Sequence, residues 1–94
     1  MTKTEKLFDE SSWEDIVNFL PNDEVVRRVA LDDFMWFVSR PKKYKNPLQK
    51  MEDYIRHLRL KSNANFALLP NNSEIFRTID IDILELELRK IYKL

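Results

Sequence analysis

Glycine is absent from this chain of 94 residues. At an average usage of about 7%, roughly six or seven would be expected, and a random draw gives none about one time in a thousand. Glycine is what lets a backbone take positive φ or pass close to a phosphate. Its absence removes the phosphate-cradling P-loop, the dinucleotide fingerprint, the nucleophile elbow and the tight Asn-Gly hairpin. A chain built this way is expected to use helices joined by extended links, with helices that stop at prolines and start at Ser and Asn caps.

A length of 94 residues suits one small domain over 1–94, able to bury about 60 to 65% of its unfolded surface. Apolar residues are 44% and charged residues 34%, a balance that favours a globular chain over a disordered one. No cysteine is present, which excludes disulfides and thiolate metal sites, and His57 as the lone histidine excludes a histidine-rich site. No cofactor is expected. Residues 1–12 are polar with no apolar signal-like core, and no stretch approaches the 18 apolar residues of a membrane span. The expectation is a cytoplasmic protein without a membrane partner. Residues 1–11 read as a flexible arm, in which Leu7 and Phe8 form an apolar pair suited to close over the core as a flap.

The net charge of zero hides a division along the chain. Residues 1–39 carry four basic and nine acidic side chains, residues 40–65 carry eight and two, and the remainder four and five, for net charges of −5, +6 and −1. Either the acidic first third neutralises the basic middle inside the fold, or the basic middle meets an acidic partner or nucleic acid.

Four helices are legible. Ser12 reads as the cap of a first helix with Asp15 at its third position, and Trp13, Ile16, Val17 and Leu20 recur at helical spacing up to Pro21. A second runs from Asn22 as cap to Ser39 or Arg40, where Pro41 ends it. Its apolar face is broad, with Val25, Val26, Val29, Ala30, Trp36 and Phe37, leaving only a polar strip around Arg28, Asp32 and Ser39. Such a helix is central to a core or buries a second side against another chain. Glu24, Arg28 and Asp32 follow at i+4 steps that suit surface pairing, and Asp33, on the apolar side, is expected to pair with Arg27 or Arg40 or to lie at the edge.

Asn46 then caps a third helix with Pro47 in its first position. Leu48, Met51, Ile55 and Leu58 form its core stripe, while Lys50, Tyr54, His57 and Lys61 lie on one flank, with His57 expected to be solvated. Between Phe66 and Ile79 two readings stand: a hairpin of Phe66–Leu69 and Ile75–Ile79 turning on Asn71 and Asn72, or a helix capped by Ser73. From Asp80 a last helix carries Ile81, Leu84, Leu88 and Ile91 on one stripe and Ile79, Ile83 and Leu86 on another. The fold class is therefore mainly α, a compact domain of about four helices. Its alternative is α+β, three helices and a hairpin at 65–80 resembling a winged helix in topology.

No catalytic constellation assembles. The serines sit at caps and boundaries, and adjacent carboxylates such as Asp32 and Asp33 diverge on a helix, so neither a nucleophile with its base nor a metal site is in view. The expectation is a non-catalytic interaction or regulatory protein of adaptor or inhibitor type, whose partner is another protein or a second copy of itself rather than a small-molecule substrate. Eleven aromatics and two helices with more than one apolar face suggest more apolar surface than so small a domain can bury. The expected contact residues are Trp36 and Phe37, with Ile81, Leu84, Leu88, Ile91 and Tyr92 of the last helix or the opposite face of that helix. The alternative is a nucleic-acid-binding protein using segment 40–61, with Arg40, Lys42, Lys43, Lys45, Lys50, His57 and Lys61 on phosphates and Tyr44 and Tyr54 stacking on bases.

Overall fold

The computed structural model describes residues 6–63 and 73–92. A 3-10 turn, Glu10–Ser12, runs into α1 (Trp13–Val17), followed by α2 (Glu24–Ser39), α3 (Pro47–Asn63), α4 (Ser73–Arg77) and α5 (Ile81–Tyr92). The fold is mainly α, as the spacing predicts, with short α4 falling where the second reading of the 66–79 segment puts a helix. Ile75–Ile79 is helical through Arg77 rather than extended, so the hairpin alternative loses its second strand. Its first half and its turn at Asn71-Asn72 lie outside the described residues. Among the described residues no backbone takes positive φ, which is what a chain without glycine requires.

Two helix starts differ from expectation by a residue or more. Asp9, not Ser12, opens the first helical segment: its carboxylate accepts from the Ser11 amide at 2.9 Å, and the Ser12 hydroxyl accepts from the Asp9 amide at 3.1 Å. Asp23, not Asn22, caps α2, accepting from the amides of Val25 and Val26 at 2.9 and 3.1 Å. Asn46 caps α3 as read, through the Gln49 amide at 2.8 Å, and Asp80 caps α5 through that of Ile83 at 3.1 Å. Each carboxylate or amide oxygen satisfies a helix amide that has no intrahelical partner. α2 ends at Ser39, and Arg40 takes the extended ψ of 145° that Pro41 demands.

Helix α3 is the spine. It packs against α4 and α5, and its buried Tyr54 ring meets Phe8, Phe34 and Phe37 at 5.5, 5.3 and 5.3 Å between centroids. Such tilted and edge-on contacts suit the aromatic quadrupole and add to the burial of area. Phe8 closes over the core as the flap reading required, against Phe34, Tyr54 and Tyr92. Leu7 does not follow it and remains 63% exposed.

The arm is tied down at residues 6–12 by one buried hydroxyl. Ser12 Oγ donates to the Leu7 carbonyl at 3.1 Å and accepts from the Tyr92 hydroxyl at 2.6 Å. This joins the start of the fold to the end of α5, and burial pushes the Tyr92 hydroxyl above its ordinary pKa. No described helix is long and apolar enough to cross a membrane.

Candidate interaction surface

Most of the contact residues expected on α5 are core. Leu84 and Leu88 are fully buried and Ile81 and Tyr92 nearly so. Packed into the core, these four side chains present almost no area to a partner in this fold. The reason is that α5 has two apolar stripes, and the one holding Ile81, Leu84 and Leu88 is turned inward. Ile91 sits at the margin, and the opposite stripe leaves Ile83 and Leu86 about half exposed while Ile79, ahead of the helix, is buried.

Helix α2 divides the other expected pair. Phe37 is buried with Val26, Ala30 and Phe34, whereas Trp36, turned by about 100° from it, is 55% exposed. Val25 is 61% exposed, and Val29 is partly buried against the core. Val25, Val29 and Trp36 stand at i, i+4 and i+11, so they share one outward strip of the helix. The second apolar side that the sequence indicates for this helix is thus open, and Phe37 is not part of it.

The Trp36 indole is exposed but held. It stacks on the His57 ring at 5.7 Å between centroids, and the Arg40 guanidinium lies 5.3 Å from its centre. Beneath it the His57 Nε2 and an Asp33 carboxylate oxygen are 2.8 Å apart, with Lys61 Nζ 3.8 Å from the other oxygen. His57 is therefore a bridge between α2 and α3 rather than a solvated side chain. Asp33 pairs with neither arginine expected for it: Arg27 donates to the Pro21 carbonyl, and Arg40 covers the Phe37 ring at 4.2 Å.

The basic segment is largely compensated, though not by the acidic first third. Asp53, on α3 itself, lies 3.7 Å from Arg40, 3.4 Å from Lys42 and 3.8 Å from Arg56, and accepts from the Tyr44 hydroxyl. Burial pushes the Asp53 carboxyl up, but the Tyr44 hydroxyl and Lys42 outweigh it and hold the carboxyl below its ordinary value. Burial, with the bond to Asp53, pushes the Tyr44 phenol up. Arg59 pairs with Asp82 and Glu85 of α5, and Arg89 with Glu85 and Glu52. Among the described residues, Asp33 brings the first third into this arrangement through ion pairs with His57 and Lys61. Tyr54 is buried among aromatics and offers no face for stacking on a base. Among the described residues, Lys43, Lys45 and Lys50 of this segment make no ion pair; Lys45 and Lys50 line a groove of about 440 Å³ beside Lys42, Tyr44 and Leu7.

On α2, Arg28 and Asp32 are exposed and without an ion-pair partner among the described residues, so the surface pairing expected along Glu24, Arg28 and Asp32 does not form. Arg28 before Asp32 is the weaker orientation on a helix, whereas Glu24 before Arg28 is the favoured one and is absent all the same. Next to them, Glu24, Val25, Arg28 and Val29 line a recess of about 170 Å³. Among the described residues no cluster of three or more His, Asp or Glu side chains is placed to hold a metal ion. Comparison of the chain with protein-family models, with curated proteins and with solved structures gives no match.

Proposed function

We propose that this chain is a non-catalytic interaction module that meets a protein partner through the outward strip of α2, with Trp36 as the anchor. The observation that carries the reading is an indole 55% exposed yet fixed between His57 and Arg40. A large aromatic already ordered before binding loses little rotamer freedom on association, and tryptophan and arginine are the side chains that dominate interface energies. Val25 and Val29 extend the apolar contact along the helix, and Arg28 and Asp32 at its edge can fix register.

The nucleic-acid alternative is less favoured by the same geometry. With Arg40, Lys42 and Arg56 at Asp53 and Lys61 near Asp33, its phosphate contacts would rest on Lys43, Lys45 and Lys50. The test is recovery of partners from native lysate after nuclease treatment, comparing the parent chain with Trp36→Ala and with Lys43→Glu/Lys45→Glu/Lys50→Glu. The proposal expects protein partners that persist through nuclease and depend on Trp36. Recovery that vanishes with nuclease or with the triple reversal, and is indifferent to Trp36, overturns it.

A further inference from the structure

The strip on α2 carries an exposed indole near one end and a recess near the other. Trp36 lies close to the C-terminus of the helix, and the recess of Glu24, Val25, Arg28 and Val29 lies in its first turns. The two are centred about nine to eleven residues apart, or roughly 15 Å along the axis. The recess, at about 170 Å³, is of the size that accommodates a six-membered aromatic ring, since an apolar cavity of about 150 Å³ binds benzene.

A surface bearing both an exposed aromatic ring and an open recess along one line can satisfy itself about a two-fold axis. We infer that the partner of the α2 strip is a second copy of this chain, bound antiparallel through α2, with Trp36 of each copy seated in the Val25–Val29 recess of the other. This rests on the interaction reading above and names its occupant.

The charges give an independent argument. Turning the helix about a point near residues 30 and 31 sets Val25 opposite Trp36 of the partner subunit. The same rotation sets Arg28 beside Asp32 of the partner subunit, twice. With Glu24, these two residues are the exposed charges on the strip that have no ion-pair partner among the described residues, and the antiparallel arrangement pairs Arg28 and Asp32 with opposite sign. A parallel arrangement in register would set Arg28 against Arg28 of the partner subunit and leave Trp36 away from the recess. Arg28 also lines the recess, so an indole seated there gains a guanidinium at its edge or face. A shallow crossing near 20° keeps both ends of the strip in contact, whereas a crossing near 50° would separate them.

One helix strip per subunit is a small interface, so the dimer belongs to the weak, concentration-dependent class. The experiment is sedimentation equilibrium of the full chain from micromolar to millimolar concentration, with circular dichroism confirming the helical fold of every variant. Trp36→Ala is expected to weaken the dimer at least about tenfold. Arg28→Asp and Asp32→Arg should each weaken it by setting like charges together, and the double swap Arg28→Asp/Asp32→Arg should restore it. All three positions are outside the buried core, so loss of dimer with retained helicity reads as loss of the interface.

A monomer at every concentration overturns self-association; if Trp36-dependent protein recovery from lysate persists, the interaction reading stands, and if it is also lost, that reading falls too. A dimer indifferent to Trp36 and to both charge reversals, or single reversals that the double swap fails to rescue, places the contact elsewhere and overturns the antiparallel arrangement.

Discussion

Tyr92 and Ser12 illustrate how much one hydroxyl can hold. Their 2.6 Å bond joins residues 80 positions apart, and the same serine receives the Asp9 amide and donates to the Leu7 carbonyl. Tyr92→Phe removes one donor from a buried group and is expected to cost about 1 to 2 kcal/mol, measured by urea denaturation; an unchanged midpoint would mean that the arm is not held by this bond. The pattern around Ser12 suggests a cap because serine before an apolar run commonly is one. Asp9, three residues earlier, takes the capping role instead, and the Ser12 hydroxyl meets Tyr92, a contact that no local pattern can predict. Trp36 and Phe37 make a second contrast. Both are apolar in sequence, but Phe37→Ala is expected to destabilise by about 3 to 5 kcal/mol, while Trp36→Ala, at a half-exposed site, should cost about 1 kcal/mol or less. Comparable losses from the two in thermal denaturation would remove the basis for treating Trp36 as surface.

At the scale of elements, the helices were legible because apolar spacing, Asn46-Pro47 and Pro41 are local signals. Which of two apolar stripes turns inward was not. On α5 the Ile81, Leu84 and Leu88 stripe faces the core and Ile83 and Leu86 face out, a choice set by the neighbouring helices and not by the period. Ion pairs between α3 and α5 reinforce that choice. Hydrogen bonding from Arg89, aided by Arg59, holds the Glu85 carboxyl below its ordinary value of 4.5, against the effect of burial. A depressed folded-state pKa means that the stabilisation is complete above the ordinary value and is lost as pH falls through the lower, folded one. Asp53 behaves alike from 3.8 downward. Stability by denaturant titration should therefore be flat from neutrality to about pH 5 and decline below about pH 4.5. Glu85→Gln should lower the neutral plateau by about 1 kcal/mol, because the pairs are partly solvated, and make the acid decline shallower. An equally steep decline in that variant would assign acid sensitivity to other carboxylates.

Across the whole molecule, the charge division visible in sequence is resolved mainly by α3 and α5, with Asp53 compensating the basic link from within its own helix. Sequence separation alone cannot predict such a local solution, because Asp53 meets Lys42 and Tyr44 only once the link folds back over α3. Among the described residues, Glu24, Arg28 and Asp32 of α2 remain without ion pairs beside an apolar strip. Association through that strip should change less than about tenfold between 50 and 200 mM salt, since two exposed ion pairs are weakly screened contributors to a largely apolar contact. A steep decline over the same range would point to phosphate binding by Lys43, Lys45 and Lys50 instead. On the proposed association, the Trp36 surface that is open in the isolated chain becomes covered. Collisional quenching by acrylamide, in a Trp13→Phe chain where Trp36 is the sole indole, measures this directly alongside sedimentation. The quenching constant should fall as the mass rises toward that of a dimer; a constant that holds steady while mass doubles, or a mass that never rises, contradicts the account.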